Sequence, residues 1–300
     1  MNVLVLRALG LGDLLTAVPA LRALRRAHPD AVRTLAAPAW LADAVDRIDA
    51  VDRLLPTEGL VPINWSGPPP ELAVNLHGRG PQSTELLRAL RPRRLITHRS
   101  WVPEQHEVDR WCRLLEHHGI PADPDDLRLG ETEHSGPAVV HPGASHGSRL
   151  WPVERYAEVA RALGPDVVVT GGAGEAERVE AVAMGLPRRV GGSLSGLLDL
   201  VANARLVVCG DTGVAHVATA YGTPSVVLFG PVPPALWGPR SGPHRALWHG
   251  WRGDTFADRP DPGLLRISVA EVLAAVAELR GGGGPWQHSG SPSSARATWD

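Results

Sequence analysis

Asp211, Thr212, Gly213 and His216 fall in the string Gly210-Asp211-Thr212-Gly213-Val214-Ala215-His216, directly after the apolar run Leu206-Val207-Val208-Cys209. The run reads as a buried strand, the glycines as a tight turn, and the residues from Val214 to Tyr221 as a helix. The first amides of such a helix have no partner inside it and form an anion site. Thr212 and Gly213 can offer a hydroxyl and close backbone approach to a diphosphate, and His216, about one turn into the helix, can reach the same anion. The plainer readings are a helix cap for Asp211 and a polar helix-face residue for His216. Arg149, just before Trp151-Pro152, can pair with a phosphate through its planar fork, or be an ordinary solvated arginine. Glu175 follows Gly171-Gly172-Ala173-Gly174. It can accept hydrogen bonds from a ribose diol or serve as a first-turn helix acid, with Glu177 a close competitor.

A second set lies near the amino terminus. Val3-Leu4-Val5-Leu6 is followed by Ala8-Leu9-Gly10-Leu11-Gly12-Asp13, then by apolar residues at helical spacing: Leu14, Leu15, Val18, Leu21 and Leu24. The third glycine of a dinucleotide fingerprint is absent, because Leu15 occupies its place, so the loop is a weak nicotinamide-cofactor signal. Asp13 reads either as a helix-start acid favoured by the dipole or as a carboxylate able to accept a proton from an incoming hydroxyl. His77, in Asn75-Leu76-His77-Gly78-Arg79, reads as an acceptor or phosphate contact or as a plain loop histidine.

These residues need scaffolding that holds loops together. Short apolar runs predict strands at Val3–Leu6, Val32–Ala36, Val51–Leu55, Leu72–Leu76 and Arg94–Thr97. Helices are expected from Ser83 to Leu90 and from Glu107 to His118, with a kink or short first turn at Pro19. The Asp-, Pro- and Gly-rich stretch 121–136 reads as a linker. A second series follows: strands at Ala138–His141, Val167–Thr170, Leu206–Cys209 and Ser225–Phe229, and helices at Pro152–Leu163, Glu175–Met184, Leu197–Asn203 and Val214–Tyr221. Ser268 and Glu271 form a capping box for a last helix, which is expected to brace the two domains. Alternating strands and helices predict an α/β fold with two open parallel sheets, over residues 1–135 and 136–280. A disordered tail is expected over 281–300. In open α/β sheets ligands bind beyond the carboxyl ends of the strands. The polar and glycine clusters here fall at such ends, so two facing sheets would form a cleft able to hold two substrates.

Composition narrows the chemistry. The 300 residues are 43% hydrophobic and 21% charged, which excludes wholesale disorder. The net charge of −2 offers no general attraction for nucleic acid. All 30 basic residues are arginine, so lysine Schiff bases, P-loop lysines and lysine general bases are excluded. Cys112 and Cys209 sit in apolar patterns and read as buried thiols of a reducing compartment. No carboxylate cluster suits Mg²⁺, so no metal and no cofactor is expected. No signal peptide or run of about 20 apolar residues is evident, and a cytoplasmic protein with possible peripheral membrane contact is expected.

With these residues in view the chain resembles glycosyltransferase family 9, the ADP-heptose:lipopolysaccharide heptosyltransferase family. The resemblance rests on Leu9-Gly10-Leu11-Gly12-Asp13-Leu14-Leu15 with Pro19-Ala20-Leu21. It rests also on His141-Pro142-Gly143-Ala144-Ser145 through Arg149-Leu150-Trp151-Pro152. The most specific part is Asp211-Thr212-Gly213-x-x-His216-x-Ala218-x-Ala220-x-Gly222-x-Pro224, continuing to Leu228-Phe229-Gly230-Pro231. The resemblance implies a GT-B fold: two Rossmann-like domains around a cleft, acceptor on the first and nucleotide-sugar donor on the second. It implies inverting transfer without a divalent metal, from an ADP-heptose-like donor to a glycan, lipid-linked or small-molecule acceptor. Asp13 falls at the family's catalytic aspartate. Asp211, Thr212, Gly213 and His216 fall at donor-contacting positions, Ala144 and Ser145 in the donor loop, Glu175 at the ribose-binding acid, and Gly192 at a backbone contact to the base. Arg149 stands where the family often has lysine, and Ala8-Leu9-Gly10-Leu11 replaces a hydroxyl-rich loop. Two rival readings are a nucleotide-sugar epimerase or hydrolase on the same scaffold and a non-catalytic nucleotide-sugar binding protein. A third, a dinucleotide-dependent oxidoreductase, is disfavoured by Leu15.

Overall fold

The computed structural model describes residues 1–281; the tail expected over 281–300 falls, from 282 onward, outside the described residues. The first domain is built from strands β1 (Asn2–Leu6), β2 (Val32–Ala37), β3 (Arg53–Pro56), β4 (Leu72–Asn75) and β5 (Arg94–Ile96). Helices α1 (Leu11–Thr16), α2 (Val18–Ala27), α3 (Ala42–Ile48), α4 (Gln82–Arg88) and α5 (Glu107–Glu116) flank them. The second has strands β6 (Gly136–His141), β7 (Val167–Gly171), β8 (Arg188–Val190), β9 (Ala204–Gly210), β10 (Ser225–Leu228) and β11 (His244–Leu247). Its helices are α6 (Val153–Leu163), α7 (Ala176–Ala183), α8 (Leu194–Asn203), α9 (Gly213–Tyr221), α10 (Pro234–Trp237), α11 (Pro262–Arg266) and α12 (Val269–Gly281).

Both sheets are wholly parallel, ordered β3-β2-β1-β4-β5 and β11-β10-β9-β6-β7-β8. Counted within its own domain, each follows the doubly wound Rossmann order. The strand order reverses between β1 and β4 in the first and between β6 and β9 in the second. Those are the topological switch points, where loops leaving neighbouring strands diverge and open a crevice. Apolar strands such as Val3–Leu6 and Val207–Cys209 are buried on both faces, as helix-covered parallel strands require.

Several local expectations are corrected. The kink at Pro19 is a full break: α1 ends at Thr16, and α2 starts at Val18 with Pro19 in its first turn, where its missing amide costs nothing. Pro152 caps α6 from outside. Helix α8 starts at Leu194, three residues early, because the Ser193 hydroxyl accepts from the Gly196 amide at 3.1 Å. The Ser268–Glu271 capping box forms as expected. However, α12 packs its Val272, Ala275 and Val276 into the core of the second domain alone, so it does not brace the two. The bracing falls to other contacts. Arg47 on α3 donates to Asp199 at 2.7 Å and to the hydroxyls of Ser195 and Tyr221, while Asp43 accepts from the Ser195 amide at 2.8 Å. One apolar cluster runs from Val3, Leu14 and Trp111 through to Val139, Val207 and Val217, so the two sheets share a core. Among the described residues no helix is long and apolar enough to cross a membrane.

Candidate active site

The loops leaving β1, β4, β6 and β9 converge where the domains meet. Helix α1 rises from the β1 loop and α9 from the β9 loop, and their amino-terminal turns touch. A side-chain carbon on Gly12 would stand 2.7 Å from His216 Cδ2, and one on Gly213 would stand 3.2 Å from Leu11 Cβ. The lobes are therefore in contact at this point, and the two glycines are what allow it.

Asp13 lies in the first turn of α1, whose cap residue is Gly10. Its side chain is 29% exposed. Burial raises its pKa, with Glu107 adding to the rise; Arg7, the Gly10 amide and Arg149 pull it down. Asp13 in turn raises the pKa of Asp211, itself pushed up first by burial and pulled down by Arg149. The acid from the first domain and the arginine and aspartate from the second thus share one electrostatic neighbourhood.

Asp211 is buried. Arg149 Nη1 sits 3.6 Å from its Oδ2 and donates to its carbonyl at 3.3 Å. Asp211 is not the helix cap: Thr212 occupies that place without a capping side-chain bond, and its buried Oγ1 has no partner. Arg149 Nε is likewise buried without a partner. Such orphaned donors cost free energy unless something else satisfies them. His216, packed edge-on to Trp237, has its pKa lowered to about 3 by burial, with His106, Arg149 and Arg7 contributing. It is neutral at pH 7 and can serve as a hydrogen-bonding group, not a cation.

Glu175, Ala144 and Ser145 cluster at the ends of β6 and β7. The Glu175 Oε2 accepts from the Gly172 amide at 2.7 Å, which realises the helix-acid reading. Its carboxylate also fills the space above Gly143, where any side-chain carbon would collide at 2.0 Å. Ser145 is exposed and Ala144 half-buried. Gly192 lies after β8 at φ +98°, a conformation that disfavours other residues, with open space around it. His77, beyond β4, has its pKa lowered to about 4 by burial and by Arg7. Its buried Nδ1 has no partner. A surface cavity of about 600 Å³ is lined by Arg26, Glu116, Ala122 and Asp126; none of the candidate residues lines it. Among the described residues no group of three or more His, Cys, Asp or Glu is arranged to hold a metal ion.

Sequence reading missed Arg7, Glu107 and Trp111. Arg7 is wholly buried and donates to Asp13 and Glu107, and Trp111 donates to Glu107. The available signal was a lone arginine closing an apolar strand, six residues before Asp13.

Two doubly wound domains that meet at their switch points, an acid on one side and an arginine and a helix start on the other, define the GT-B class of fold. The model of glycosyltransferase family 9 (heptosyltransferase) matches residues 93–257, and the chain belongs to that family. Among curated proteins it is similar to lipopolysaccharide heptosyltransferase 1 of Pseudomonas aeruginosa, with 31% identity over 153 residues, 45% of this chain. There the chain spans less than half of the relative's length, 42%. Among solved structures it resembles the family 9 glycosyl transferase of Veillonella parvula (TM-score 0.76, 21% identity, 93% of this chain and 96% of that one). It also resembles the Escherichia coli heptosyltransferase WaaC with ADP (TM-score 0.71, 20% identity, 93% and 100%).

Proposed function

We propose that this chain is an inverting, metal-independent glycosyltransferase that moves a heptose-like sugar from an ADP-linked donor to the hydroxyl of a glycan or lipid-linked acceptor. Family membership supports the reaction class, and the ADP bound to the E. coli relative supports the donor. The observation that carries the reading is the contact of the first turns of α1 and α9, which brings Asp13 into the electrostatic reach of Arg149 and Asp211 across the domain boundary.

In this mechanism the acceptor hydroxyl gives its proton to an Asp13 oxygen while its own oxygen attacks the anomeric carbon. The bond from that carbon to the diphosphate oxygen breaks, and the diphosphate leaves with the electron pair. One displacement inverts the centre. The Arg149 Nε and the first amides of α9 take up the charge that grows on the leaving group. The Thr212 hydroxyl and neutral His216 supply hydrogen bonds, and Glu175 holds the ribose. Contact between α1 and α9 excludes water from the reacting centre. The acceptor meets the protein on the first domain, near His77, and a lipid-linked acceptor brings the enzyme to the cytoplasmic membrane face peripherally.

The test is Asp13→Asn, assayed with ADP-heptose and lipopolysaccharide from a strain lacking heptosyltransferase 1. Turnover should fall by about 10²–10⁴, the usual worth of a general base, while ADP affinity by calorimetry is kept. Turnover close to wild type would overturn the assignment.

A further inference from the structure

Behind Asp13 lies a buried chain of alternating charge that the reaction scheme above does not use. Arg7 is 0% exposed at the end of β1. Its Nε donates to the Asp13 carbonyl at 2.7 Å. One terminal nitrogen donates to the Leu76 carbonyl. The other meets Asp13 Oδ1 at 3.4 Å, Thr16 Oγ1 at 3.1 Å and Glu107 Oε1 at 3.2 Å. Trp111 lies 4.6 Å beneath the guanidinium and donates to the same Glu107 oxygen at 3.0 Å. The second Glu107 oxygen accepts from Arg110 Nε at 3.0 Å, and Arg110 lies over Trp101 at 3.9 Å.

Burying a guanidinium completely is costly unless each donor is met, and for stability alone apolar side chains would often serve as well. The contacts here have a direction. Arg7 grips Asp13 at both its carbonyl and its carboxylate, which fixes how the side chain leaves α1. Glu107 grips Arg7 from the opposite side, and α5 carries it. We propose that Arg7, anchored by Glu107, is a positioning residue that orients the Asp13 carboxylate and tunes its charge. The proposal rests on the reading of Asp13 as the base only for its catalytic consequence.

The groups facing Asp13 are Arg7 just beyond β1, Glu107 on α5, Arg149 beyond β6, Asp211 beyond β9 and the Gly10 amide. His77 and His216 face Arg7 and are neutral near pH 7. The charges of Arg7 and Glu107 act on Asp13 with opposite sign, which a purely mechanical brace would not do. The experiment labels aspartate side-chain carboxyls with ¹³C, assigns Asp13 by its loss in Asp13→Asn, and follows it against pH. In Arg7→Met its titration should move upward by about one pH unit or more. In Glu107→Gln, which keeps an oxygen to accept from Arg7, it should move downward. Should Arg7→Met fail to fold, Glu107→Gln decides alone: no shift, or an upward one, overturns the proposal. A second arm assays Arg7→Lys with ADP-heptose. Charge without the fork should lower kcat about 10–100-fold with KM for the donor kept. Unchanged kcat overturns the orienting role. An active Asp13→Asn would instead sink the base assignment, while the titration arm still decides whether Arg7 and Glu107 govern this carboxylate.

Discussion

Arg149 illustrates how one side chain divides its work at the residue scale. Its Nη1 holds Asp211 loosely, at 3.6 Å from the carboxylate, while its Nε stays buried and unpaired. A planar cation in that state is ready for a second anion, and a diphosphate oxygen is the group the proposed reaction would bring. Arg149→Ala should weaken ADP binding about 10–100-fold, since a hydrogen bond to a charged group is worth about 1.5–3 kcal/mol. Calorimetry checks this, and an unchanged Kd would remove Arg149 from the donor site. Asp13 sets a pH dependence of definite sign. Its carboxyl must be ionised to accept a proton, and burial raises its pKa above the ordinary carboxylate value. Activity should therefore persist at high pH and fall as pH drops through that raised value. His216 adds no further step near neutrality, because it ionises only at about 3. A kcat/KM profile with a histidine-like inflection at pH 6–7, retained in Asp13→Asn but lost in His216→Gln, would contradict this.

At the scale of elements, the strands that line the switch points were legible because they are short runs apolar on both faces, with a glycine or asparagine at the strand's end or a few residues beyond it. Val3–Leu6, Leu72–Asn75 and Leu206–Cys209 all carry that signature. The edge strands β8 and β11 were not, since Arg188, Arg189 and Arg245 interrupt any apolar run. Helix α3 was missed because Asp43, Asp46 and Arg47 break its short apolar pattern, although Asp43 and Arg47 form the bridge to α8. The site was legible where a loop carries its chemistry in sequence, as in Gly210–His216. Arg7 and Glu107 were not, because they are 100 residues apart and meet only after β1 and α5 pack. The same logic explains Gly12. Alanine is the better helix former by about 1 kcal/mol in a helix interior, so on propensity alone Gly12→Ala would be neutral or slightly stabilising. Yet its methyl carbon would stand 2.7 Å from His216, forcing α1 and α9 apart. Turnover should fall about tenfold or more, the scale expected when reacting groups shift by a fraction of an ångström. Wild-type turnover at wild-type melting temperature would show that the α1–α9 approach does not matter.

Across the whole molecule, the shared core decides how the two domains behave together. Proteins with separate domains commonly unfold in steps. Here the apolar cluster passes without a break from the first sheet to the second. It is flanked by inter-domain ion pairs, Arg47 with Asp199, Arg240 with Asp109 and Arg252 with Glu104. The exposed pairs add little by themselves, so the cluster carries the coupling. The first domain should therefore not outlast the second on heating: calorimetry should give one endotherm, with van't Hoff and calorimetric enthalpies in agreement. ADP bound on the second domain should then move that single transition as a whole. At about 100 times Kd the gain is about 2.7 kcal/mol, which for a chain of this size amounts to roughly 4–5 °C. Two resolved transitions, with ADP moving only one, would mean that the domains are stabilised separately and that their contact at Gly12 and Gly213 is one of several arrangements the chain adopts.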